Sequence, residues 1–183
     1  FKWQAPWYTP VSDDEPGKVQ VSLNQRHADE LVKPNSFGRH IIAKAVAFKL
    51  GLPDPASAVS RSNYAENTSA YTVRSPFLET RSDHRFNKFH GDKTQYSSAL
   101  MMDDIAVTQD KFGANLQTRT GDTTYGFNSN ADRDVFKLQS SDDLPVFCVW
   151  DVDGNDTFDF SAFRQDQVLN LKSGSFSNVG GGL

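Results

Sequence analysis

The chain has 183 residues, enough to bury one ordinary core or two small lobes that share an interface. A formal net charge of −4 leaves no basic stripe to neutralise phosphates, which argues against nucleic acid as a partner. No apolar run reaches the length of a membrane span, and the single cysteine, Cys148, cannot form a disulfide within the chain.

The opening segment FKWQAPWYTP has neither the basic nor the apolar stretch of a secretory leader. Residues 37–52, FGRHIIAKAVAFKLGL, predict a helix with Ser36 as N-cap and Gly51 as its stop, and with Ile42, Ala45, Val46, Lys49 and Leu50 on one face. Residues 53–98 are rich in Pro, Ser, Asn and charge and predict a long loop with short extended pieces. A second helix is expected over 99–112, closed by Gly113, with Leu100, Met101, Ile105 and Phe112 inward. From Thr124 onward, short apolar alternations broken by Gly, Asn and Asp predict strands and tight turns, so the best domain boundary lies near Asn115. Cys148 sits in the apolar run 145–150 and reads as a small core residue rather than a nucleophile.

Two segments carry the chemistry. Thr118 to Asn130, TRTGDTTYGFNSN, offers a Gly-containing turn with backbone carbonyls and the Thr123 hydroxyl. Trp150 to Phe160, WDVDGNDTFDF, packs Asp151, Asp153, Asn155 and Asp156 close together. Together they supply the oxygen donors that a hard cation such as calcium needs. The pattern is not an EF-hand, because the positions that need Gly and Glu hold Asp156 and Ala162. The histidines give no rival metal site. His27 with Glu30, His40 one turn before Lys44, and the pair His84 and His90 match no recognised ligand spacing. No G-x-S-x-G elbow accompanies the many serines, so a serine hydrolase finds no support. Asp103 and Asp104 read as helix solvation or a structural hydrogen bond.

These two segments, with MMDDIAVTQDKFGANLQ before them and SFSNVGG near the end, resemble the serralysins, secreted bacterial zinc endopeptidases whose protease domain runs into a calcium-bound parallel β-roll. The resemblance is close over roughly residues 96–181 and weaker back to Asn24. It implies an α+β fold: residues 1–115 a metzincin-like, incomplete protease-derived region, and 116–183 the start of an RTX-type β-roll, truncated where the family continues into more repeats. It places calcium on the carbonyls of Arg119 and Gly121, on Thr123, and on Asp151, Gly154 and Asp156, with Asp153 where a glycine is usual. A second family calcium site shares Gly154 and Asp156 and needs residues beyond Leu183. An extracellular location is likewise implied.

The family's zinc motif, H-E-x-x-H-x-x-G-x-x-H with a following Met-turn, aligns without gaps between Phe37-Gly38-Arg39 and Leu50-Gly51-Leu52. Its first two histidines fall on Lys44 and Phe48, its general-base Glu on Ala45, its third histidine on Asp54, its Met on Arg74 and its Tyr on Pro76, and Gly51 alone is kept. An ammonium and a phenyl ring cannot coordinate zinc, one carboxylate cannot hold it, and position 45 offers no base. The expectation is therefore a catalytically inactive relative that retains calcium and binds peptide or protein in the former cleft. With Phe158, Phe160 and Phe163 left uncovered by missing coils, it is also expected to self-associate through residues 145–176, more in calcium than without it. The alternative is a working zinc endopeptidase of which this sequence is an incomplete or imperfect copy.

Overall fold

The computed structural model describes residues 33–53, 65–84, 86 and 95–180. Helix α1, Phe37–Lys49, begins where Ser36 Oγ accepts the Arg39 amide at 3.2 Å, satisfying one of the donors that a helix start leaves open. It ends at Gly51, whose φ of +69° is adopted most readily by a residue without Cβ and whose amide returns to the Phe48 carbonyl at 2.8 Å. The buried face is Gly38, His40, Ile41, Ala43, Ala45 and Ala47. Val46, expected inward, is exposed, and Ile42 is half-buried. In IIAKAVAF apolar residues surround the axis almost completely, so periodicity does not select a face, and the stripe of small side chains packs closest.

Helix α2, Met102–Phe112, starts three residues later than the pattern predicts. Met101 is its N-cap, and Asp104, one turn in, reaches back to accept the Met101 amide at 3.0 Å. This is half of a capping box and fixes the start. Gly113, at φ +83°, ends the helix as expected. Phe112 is exposed rather than inward, because in the last turn of α2 it is Lys111 that turns toward α1, its Nζ donating to the Leu50 carbonyl at 2.9 Å. The intervening segment is turns and a single 3-10 turn, Glu79–Ser82, with no strand among its described residues.

Strands β1, Thr124–Gly126, and β2, Thr157–Asp159, pair in parallel, Thr124 with Thr157, Tyr125 with Phe158 and Gly126 with Asp159. A further parallel bridge joins Gly126 to Lys137. Gly126 is obligatory here, since a Cβ would stand 2.1 Å from the Asp159 carbonyl oxygen.

Three apolar clusters are joined by one extended run. Val146 and Cys148 complete a core with Ala43, Ala47, Leu52, Val73 and Met101. Phe147 and Val149, pointing the other way, pack against Tyr125, Ala131, Val135 and Phe136. The period-2 alternation of a strand thus serves two cores at once. Phe160 and Phe163 are buried with Phe127 and Leu138, and Phe158 is half-buried beside them. The expectation that these rings face water is overturned for Phe160 and Phe163, because residues 127 and 138 of the same chain already cover them. Outside the cores, Arg39 makes a two-pronged ion pair with Asp134 at 2.8 and 2.7 Å, and Asn35 Nδ2 donates to the Leu144 carbonyl at 2.7 Å.

Candidate metal centre

The two oxygen-rich segments meet side by side. Thr123 donates its amide to Asp156 Oδ1 at 2.9 Å, and Thr157 donates back to the Thr123 carbonyl at 2.8 Å, the parallel ladder's first rung. Asp122 Oδ1 accepts the Asn155 amide at 2.9 Å. Gly154, at φ +125°, lies against the Gly121 carbonyl. A Cβ there would stand 2.7 Å from the Gly121 oxygen and 3.1 Å from Asp156 Oδ1. Two acceptor oxygens, one backbone and one carboxylate, therefore converge on a space that any side chain at position 154 would fill. Thr123 Oγ1 adds a third oxygen, 3.1 Å from the Gly121 carbonyl.

The remaining expected ligands sit around this cradle with partners of their own. Asp151 accepts the Tyr125 hydroxyl through Oδ2 and the Val152 amide at 2.7 Å through Oδ1. Burial, and then Asp151, raise the Tyr125 phenol well above the ordinary range, so it stays a donor. Asp153 is exposed and turns its carboxylate to the Gly154 amide at 2.9 Å. Arg119 is in the left-handed region at φ +49°, and its side chain reaches across to Asp132 at 2.9 Å and to the Trp150 carbonyl, over the Phe136 ring. Among the described residues no three His, Cys, Asp or Glu side chains converge. An ion at these turns would thus rely on carbonyl and hydroxyl oxygens as well as carboxylates, a donor chemistry that fits calcium and not zinc.

On α1 the face read as a former zinc site carries different groups. Lys44 is half-buried, Ala45 is buried, and Phe48 is exposed with the Arg74 guanidinium 5.3 Å from its ring centroid. Arg74 itself is only 6 % exposed. Pro76 is exposed, and Asp54 lies outside the described residues, as do His27, Glu30 and His90. His40, buried one turn before Lys44, has Nδ1 3.1 Å from the Ser97 carbonyl, and burial pushes its imidazole down to about 4. It is a structural, neutral histidine. His84 is half-buried with Nδ1 3.1 Å from Ser82 Oγ. These residues do not fit zinc.

Comparison with known proteins gives the family of the chain. A family model described as peptidase M10 serralysin C terminal matches residues 114–183. The chain is 45 % identical over 154 residues to metalloprotease AprA of Pseudomonas entomophila, an alignment covering 80 % of this chain and 31 % of that protein. It is 40 % identical over 187 residues to a serralysin of Photorhabdus sp. strain Az29, covering 95 % of this chain and 37 % of the relative. It is also 37 % identical over 188 residues to serralysin C of Dickeya chrysanthemi, covering 97 % and 37 %. The chain belongs to the serralysin family. It spans about a third of the length of these curated relatives.

The structural hydrogen bond expected of the Asp103 and Asp104 pair is made by Asp104, while two further contacts were not read from the sequence. Asp104 accepts from Thr72 Oγ1 at 2.6 Å, the Val73 amide at 2.9 Å and the Met101 amide at 3.0 Å, so one buried carboxylate ties the loop to α2. Its place in an Asp103-Asp104 pair at a helix start was the available signal. The Tyr125–Asp151 bond and the reach of the Arg119 side chain have no local signal, because both depend on the parallel register. Cys148 is half-buried against the first core, and burial pushes its thiol up to about 11, which removes it as a nucleophile.

Proposed function

We propose that residues 116–183 belong to a calcium-binding parallel β-roll of the RTX type. Residues 1–115 are then a metzincin-like, protease-derived region that is catalytically inactive as written. The observation that carries the calcium half is the approach of the Gly121 carbonyl and the Asp156 carboxylate to Gly154, a space left open only because position 154 lacks a Cβ. Arg119, Gly121, Thr123, Asp151, Asp153, Gly154 and Asp156 are the residues that would hold the ion. Bound there, calcium would offset the carboxylate charge of the second turn and tie the 119–123 segment to the 151–156 segment. The α1 half rests on Lys44, Ala45 and Phe48, which supply neither zinc ligands nor a base. The role left to that region is binding of peptide or protein in the former cleft, outside the cell.

Both halves are tested on the chain as it stands. Thermal melts in EGTA and in millimolar calcium are expected to differ by several degrees, since a ligand that binds only the folded state stabilises it. Casein is expected to remain intact with added zinc. An identical melt in both conditions contradicts the calcium half, and chelator-sensitive cleavage contradicts the other.

A further inference from the structure

We infer that Arg74 excludes a metal ion from the α1 face, so that restoring imidazoles to Lys44 and Phe48 does not by itself restore metal binding. The inference rests on the reading of α1 as a former zinc helix and adds a positive obstacle to the missing ligands. Three observations carry it. Lys44 and Phe48 are four apart on one helix and so share a face, the spacing at which two histidines chelate a divalent ion. The Arg74 guanidinium stands 5.3 Å from the Phe48 ring centroid, over the position any imidazole at 48 would occupy. Arg74 is buried, and its charge lies close enough to Asp104, the carboxylate that fixes the start of α2, to work against the rise that burial imposes on that carboxyl, so it is a built part of the interior and not a mobile surface cation.

Physical chemistry sets the sign. A guanidinium is charged at every accessible pH, and this one, itself buried beside a half-exposed face, repels a dication brought to that face. It offers five N–H donors and no lone pair, so it cannot join the coordination shell. Its stacking on an aromatic ring is favourable, which makes Phe48 and Arg74 a matched pair, the one supplying a π face for the other's charge. A histidine at 48 keeps the Arg74 cation next to it, and that charge opposes the arrival of a second cation on the imidazole.

The test measures zinc affinity by calorimetry, with cobalt(II) absorption as a second readout of coordination. The double variant Lys44→His/Phe48→His is compared in two backgrounds, with Arg74 present and with Arg74→Met, and circular dichroism confirms the fold of each. Lys44→His alone, in both backgrounds, subtracts any site that His40 makes with position 44. Arg74→Gln serves as a neutral polar replacement in case methionine perturbs Asp104. The expected result is zinc affinity at least about tenfold tighter without Arg74 than with it. Equal affinities in folded proteins of the two backgrounds overturn the inference. Affinity lost on removing Arg74, by either replacement, overturns it as well. Because no proteolysis is read, the result is separate from whether the natural chain is inactive.

Discussion

The two regions of this molecule keep opposite things. Around α1 there is a well-formed helix, with its Ser36 cap, its Gly51 stop and its close-packed alanine face, while the positions that the serralysin zinc motif aligns with carry an ammonium, a methyl and a phenyl ring. At the paired turns the oxygens on offer are backbone carbonyls, the Thr123 hydroxyl and three carboxylates, and they are set by backbone conformation, Gly154 at φ +125° and Arg119 at φ +49°. A site built from side chains is erased by a few substitutions without harm to the fold. At the paired turns the carbonyls belong to the same backbone that makes the β ladder, so side-chain changes there can remove the carboxylates but not the carbonyl positions.

The comparison breaks most visibly at Asp104. Replacing it by Ala leaves a buried hydroxyl and two amides without acceptors, and the expected loss is about 3–5 kcal/mol in urea denaturation, with α2 unravelling from its start. A loss below about 1 kcal/mol would mean that water replaces the carboxylate. Next is the ligand pair. Asp151→Ala with Asp156→Ala is expected to abolish the calcium-dependent part of the melt, about 2.7 kcal/mol when calcium is at a hundred times its dissociation constant. Gly154→Ala should do the same with both carboxylates intact, since its methyl would collide with the Gly121 carbonyl. Retention of the calcium effect in that variant would place the ion elsewhere.

Smaller effects sharpen the boundary between the regions. Arg39→Ala removes a partly exposed ion pair to Asp134 and is expected to cost less than about 1 kcal/mol, falling further in high salt. The Asp103 effect depends on pH. Burial first, then Asp104 and Glu66, raise its carboxyl to about 6. The folded chain therefore takes up this proton before the unfolded one does. The contribution to stability is full below the unfolded value near 4 and is lost as pH rises through about 6. Asp103→Asn is expected to flatten that part of the stability–pH curve and to change stability at pH 5 very little. An unaltered curve would assign the pH dependence to other groups.

Three of the four ends of α1 and α2 were legible because caps are local chemistry, as Ser36, Gly51 and Gly113 demonstrate, while the start of α2 was not, because Met101 carries no side-chain oxygen to cap with and Asp104 fixes it from within the helix. Helix faces were less legible. In α1 the apolar residues surround the axis, and in the last turn of α2 Lys111 rather than Phe112 turns toward α1, so period alone misassigned Val46 and Phe112. The pairing of TRTGDT with DVDGND was readable as donor chemistry on both sides of a gap. Its geometry, with Asp156 on the Thr123 amide, follows from a register that no single segment specifies. The burial of Phe160 and Phe163 was missed for the same reason, because their cover comes from Phe127 and Leu138, distant in sequence. Val168, Leu169 and Leu171 remain the exposed apolar residues near that end, and any self-association in calcium is expected to run through them.

The central claim, an oxygen site kept and a zinc site lost, is tested most directly by native mass spectrometry of the chain exposed to calcium and zinc together. The account predicts a calcium adduct that disappears in Asp151→Ala/Asp156→Ala and no stoichiometric zinc. A zinc adduct at one equivalent that survives in that variant, or no calcium adduct in the unmutated chain, would contradict it.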